Sequence, residues 1–122
     1  MQDPALKELI VFLRERHSAI KALEANAKRS LYEHNDEPGY RKLMEERASA
    51  IAGLEFVCEP LLSALPDTQL RDSIEDDLQR FAAGANNSLR IGSVFYMSAL
   101  LYPDDHKDGE PDNFERLINS LG

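Results

Sequence analysis

"GANNSLRIGSVFYMSALLYP", residues Gly84 to Pro103, begins small and polar and ends apolar on every side. Whatever covers its second half decides the fold. At about 100° per residue, Leu70, Ile74, Asp77, Leu78, Phe81, Ala85, Ser88, Gly92, Phe95, Ala99 and Tyr102 fall on one stripe of a helix. The far side holds Asp72, Asp76, Gln79, Asn87 and Arg90, and then Val94, Met97 and Leu101. The stripe predicts one long helix ending near Tyr102. Small residues at Gly84, Ser88 and Gly92 recur every fourth position and would let a neighbouring backbone approach closely. The alternative is a break within Gly84–Ser88, where Asn86, Asn87 or Ser88 would cap a new helix.

The stretches upstream supply two more rods. Asp3 before Pro4 is a helix start, because the Asp side chain can accept an early backbone N–H and proline at the first position loses no bond. Apolar positions at spacings of three and four then run to about residue 34, where "HNDEPGY" forms a turn. The pattern resumes from Tyr40 to Leu65, with a kink or a short final turn expected at Pro60, and "LPDTQL" brings the next turn, capped by Asp67 or Thr68. Short connections make neighbours antiparallel. After the loop "PDDHKDGEP", Asp112 and Glu115 have capping-box spacing, and Phe114, Leu117, Ile118 and Leu121 form a further apolar stripe. About ten helical residues span roughly 15 Å, the length from Gly92 to Leu101. The expected fold is therefore all-α, one domain over residues 1–122. It is an antiparallel up-and-down bundle of three long helices with a short C-terminal fourth helix packed on the second half of helix three.

Composition excludes some functions. With 14 Lys and Arg against 22 Asp and Glu, the net charge is −8, so the field repels phosphate backbones and anionic lipid. Nucleic acid and membranes are not expected partners. The imbalance is uneven, since residues 1–34 carry six basic and five acidic side chains and the remainder eight and seventeen. The single cysteine, Cys58, cannot pair within the chain, which fits a reducing compartment. "MQDPALKELIVFLRERHS" interleaves charges with apolar residues, unlike a signal peptide, so a cytoplasmic location is expected.

Chemistry is sought at polar residues on stripes that should be buried: His17, Glu24, Arg47, Glu55 and Asp77. Hairpin register puts Glu24 level with Arg47 and His17 level with Glu55, and the next turn brings Asp77 to the level of Glu55. Buried charges must be paired, so the plain expectation is core ion pairs. The sharper one is a divalent metal or a poised histidine at His17, Glu55 and Asp77. A second metal alternative is "DDHKDGEPDNFE", Asp104 to Glu115, which has the ligand spacing of a calcium loop at Asp104, Asp108, Asp112 and Glu115. His106 stands where an oxygen ligand belongs and Pro111 lacks the N–H of that position, so an acidic linker ending in a helix cap accounts for the same residues.

No motif is specific enough to name a reaction. The leading expectation is a small non-catalytic protein that acts by binding a protein partner or a second copy of itself, with no cofactor. Val94, Met97, Leu101, Phe114 and Leu117 are the expected contact residues, exposed as an apolar groove when the C-terminal helix lifts.

Overall fold

The computed structural model of the chain describes residues 3–122; the reading of the N-terminus rests partly on residues 1 and 2, which lie outside them. Among the described residues every regular element is helical, in the order α1 (Pro4–His34), α2 (Glu37–Ala52), α3 (Leu54–Ser63), α4 (Thr68–Ile91), α5 (Val94–Ala99) and α6 (Asn113–Leu121). The all-α class is as expected, and every helix start but that of α3 has a side-chain cap. Asp3 accepts from Ala5 N at 2.7 Å with Pro4 behind it, Asp36 accepts from Gly39 N at 2.9 Å, and Asp67 accepts from Leu70 N at 3.1 Å. Asp112 does the same for α6, accepting from Glu115 N at 2.8 Å.

Two interruptions fall elsewhere than the periodicity predicts. The second rod divides at Gly53, between α2 and α3, while Pro60 sits inside α3 without ending it. Glycine is a weak helix former, and the turn there aims Leu54, Cys58 and Leu62 of α3 into the core. The third rod is continuous through Gly84–Ser88 and stops at Gly92, which takes a left-handed φ of 67°. Its N–H and that of Ser93 turn back to Ser88 O, closing the helix, and Ser93 immediately caps α5 by accepting from Tyr96 N at 3.1 Å. A glycine stop followed by a serine start outweighs a stripe that was periodic enough to read as one helix.

The packing follows from these breaks. α1 lies along α2, α2 along α4, and α5 folds back onto α2. The main core is built from Leu9, Leu13 and Ile20 of α1, Ile51, Leu54, Cys58 and Leu62 of the second rod, and Ile74, Leu78 and Ala85 of α4. A smaller cluster unites Ala27, Met44, Ala48 and Met97. α6 docks against α1, with the buried Phe114 also reaching Phe81 of α4 at a ring separation of 6.1 Å. The C-terminal helix closes the main core and holds Leu101 through Asn113 N donating to Leu101 O at 2.8 Å. Met97 and Val94 are covered by α1 and α2.

Phe114 fills the joint between α6, α1 and α4, so Phe114→Ala should destabilise the fold by about 3–5 kcal/mol in urea denaturation. Phe56→Ala, which truncates a side chain 84% exposed, should stay within about 0.5 kcal/mol of the parent protein.

Candidate functional site

The expected metal layer does not assemble. His17 Nε2 donates to Asp112 Oδ2 at 3.0 Å, and its ring meets Phe114 edge-on at 5.5 Å. Its carboxylate therefore comes from the cap of α6. Glu55 forms no hydrogen bond or ion pair with His17, and Asp77 pairs with Arg80 on its own helix. The physical reason is that Asp112 and Phe114 enter the layer that His17, Glu55 and Asp77 were expected to share. The loop alternative fares the same way. Asp112 spends one oxygen on His17 and the other on Glu115 N, while Glu110 ties the loop by accepting from Lys107 N at 2.8 Å. Asp104, Asp108, Asp112 and Glu115 do not converge. Among the described residues no group of three His, Cys, Asp or Glu side chains could hold a metal ion.

The Glu24–Arg47 pairing expected from register is present, and it is the centre of a larger network. Arg47, on α2, is fully buried, and its Nη2 lies 3.5 Å from Glu24 Oε2 on α1. Its two terminal nitrogens also donate to carbonyls at the C-terminal end of α5, Nη1 to Met97 O and Nη2 to the O of the cap residue Leu100, both at 2.8 Å. A guanidinium at the negative end of a short helix complements the dipole and adds a strong donor to its terminal carbonyls, of which Met97 O otherwise accepts only a long bond from Leu100 N at 3.4 Å. Nε of Arg47 is buried without a hydrogen-bond partner among the described residues, a cost that the rest of the network must offset. Leu101 then takes a left-handed φ of 74°, which turns the chain so that Tyr102 comes back over Glu24. The Tyr102 hydroxyl donates to the Glu24 carboxylate, 2.7–2.8 Å from its two oxygens, and accepts from Lys21 Nζ at 2.9 Å. Arg41 adds a bond from Nη2 to Gly92 O at 2.9 Å at the other end of α5.

These contacts reset the acidities. Burial alone would raise the Glu24 carboxyl, but the Tyr102 hydrogen bond and then the charges of Arg47, Lys21 and Lys28 outweigh it and hold it below its ordinary value. Asp112 is lowered in the same way, with burial opposed by the His17 bond and the Glu115 N–H. Burial pushes the Tyr102 phenol up, opposed by Lys21 and reinforced by Glu24, so the hydroxyl stays a donor at neutral pH. Cys58 is buried in the main core and its thiol is pushed up to about 11, despite the charge of Arg16, which keeps it a small hydrophobe rather than a nucleophile.

The expected contact residues are covered, as expected, but not by the C-terminal helix alone: Met97 and Val94 pack on α1 and α2, and α6 docks on α1 instead of along α5. Met97, Leu101, Phe114 and Leu117 are buried and Val94 is half-buried. Because the chain breaks at Gly92, Phe95 and Ala99 of the stripe expected to face inward face out instead: Phe95 is 76% exposed, with Ile91 at 47% and Tyr96 at 53% also outside. Phe95 and Tyr96 meet edge-on with ring centroids 5.8 Å apart. The signal that could have located this face was the Gly92-Ser93 pair, which ends one helix and begins another. Comparison of the chain with protein-family models, with curated proteins and with solved structures finds no match, so the functional reading rests on this geometry alone. No helix among the described residues is long and apolar enough to cross a membrane.

Removing one partner from the buried pair should be severe: Arg47→Met is expected to cost about 3–5 kcal/mol by urea denaturation, with partial recovery in the Arg47→Met, Glu24→Gln double variant. The pH profile has a definite sign. Glu24 and Asp112 are more acidic folded than unfolded, so their stabilisation is complete above about pH 4–5 and is lost as pH falls through their lowered values. Tyr102→Phe should lower stability at neutral pH by about 1.5–3 kcal/mol and make the acid-side loss shallower.

Proposed function

We propose that this chain is a non-catalytic helical-bundle interaction protein whose contact surface is the outer face of α5 with the C-terminal end of α4, and that its first partner is a second copy of itself. The observation that carries this reading is the exposure of Phe95 and Tyr96 on α5, whose inner side is fastened by Arg47, together with that of Ile91 at the end of α4. Large apolar side chains grouped on a rigid element suit the anchors of an interface. Charge favours self-pairing here. From Phe81 to Pro103 the one charged side chain is Arg90, so two copies of this acidic protein can meet on this face without opposing carboxylates. An isologous pairing would set Phe95 and Tyr96 of one copy against the same residues of the other. A reducing, cytoplasmic setting accords with the single buried thiol.

Sedimentation velocity across a concentration series tests the reading. The parent chain should pass from monomer to dimer with a Kd on the order of 10–100 μM, since the apolar patch is small. The Phe95→Asp, Tyr96→Asp variant, changed only at exposed positions, should remain monomeric. A parent chain that stays monomeric throughout, or a variant that associates equally well, overturns it.

A further inference from the structure

A cleft of about 600 Å³ opens on the solvent side of the Glu24 network, between α1, α2 and the loop that follows Tyr102. That volume lies within the roughly 300–1,000 Å³ of small-molecule sites. We propose that it binds a small zwitterion carrying one carboxylate and one ammonium.

The inner wall carries donors with nothing left to accept from them. Glu24 already accepts from Tyr102 and Lys21 and pairs with Arg47 at 3.5 Å. Lys28 Nζ lies 3.7 Å from Glu24 Oε1, an ion pair without a hydrogen bond, so its N–H groups are free for a ligand. Lys21 uses its ammonium on Glu24 and Tyr102 and has one N–H to spare. Tyr40 lines the same cleft, and its hydroxyl makes no hydrogen bond among the described residues. Of the three cations around the Glu24 carboxylate, Lys21 and Lys28 line the cleft and Arg47 lies buried behind it. Such a wall calls for an incoming carboxylate.

The outer rim has the opposite sign. Asp108 and Glu110 line it from the loop. Glu110 is occupied with Lys107 N, whereas Asp108 has no hydrogen bond or ion pair among the described residues. With a net charge of −8 behind it, this rim disfavours a multiply charged anion such as a phosphate and favours a ligand that presents an ammonium outward. Carboxylate inward on Lys28, Lys21 and Tyr40, and ammonium outward on Asp108, satisfies both walls with one molecule. The cleft is separate from the outward apolar face of α5, so this inference stands apart from the self-association reading.

Backbone amide shifts of the full chain, titrated with 4-aminobutanoate, butanoate and butylammonium in turn, provide the test. 4-Aminobutanoate should give saturable shifts at residues 21–28 and 102–110. Butanoate should bind about fivefold more weakly, and butylammonium should give no saturable shift. Lys28→Met should weaken 4-aminobutanoate about fivefold or more, and Asp108→Asn should reduce it to the level of butanoate; both positions are exposed, so the fold is retained. Equal binding of butanoate and 4-aminobutanoate, affinity unchanged in Lys28→Met, or no saturable shift at tens of millimolar would each overturn the proposal.

Discussion

A fully buried guanidinium is the constraint on which the α5 half of this molecule depends. Arg47 cannot be taken out of water without compensation, and the compensation comes from three places: the Glu24 carboxylate, two terminal carbonyls of α5, and the ring of Tyr102 with its centroid 5.8 Å away. Each brings a different segment into contact with α2. Glu24 belongs to α1, the carbonyls to α5, and Tyr102 to the start of the C-terminal loop. A hydrophobic residue at this position could fill the space, but it would not require the chain to stop at Leu100 and turn. The left-handed conformation of Leu101 is disfavoured for a residue with a side chain, and it is held in place by Arg47 before it and Asn113 N after it.

The second polar link, His17 to Asp112, works on the other half. Asp112 caps α6 with one oxygen and receives the imidazole with the other, so the position of α6 along α1 is set by a directional bond as well as by Phe114. Between them the two links leave the apolar side chains of α4 and α5 divided cleanly, with Met97 inside and Phe95 and Tyr96 outside. Their outward placement follows from an interior already occupied on the other side of the same short helix.

Much of this was legible in the residues themselves, and the failures have a common origin. Helix starts at Asp3, Asp67 and Asp112 could be read because capping is local, and the Glu24–Arg47 level could be read because a two-residue turn fixes the register of a hairpin. The stop at Gly92 was missed because periodicity averages over many residues, whereas a cap pair acts at one point. Asp112 as the partner of His17 lay beyond reach for another reason: 95 residues and an irregular loop separate them, and no turn geometry propagates across such a connection. The orphaned Nε of Arg47 and the left-handed Leu101 leave no trace in sequence at all, since both arise from competition among tertiary contacts.

Cys58 offers a last consequence. Its sulfur sits in the main core, in a chain with no other thiol, and holds its proton far above neutrality. A thiol in that situation is shielded from alkylating reagents until the helices part, so the rate of its labelling counts openings of the native state. The protein thus carries an intrinsic clock for its own breathing, at a depth where only a disruption reaching the centre of the bundle will start it.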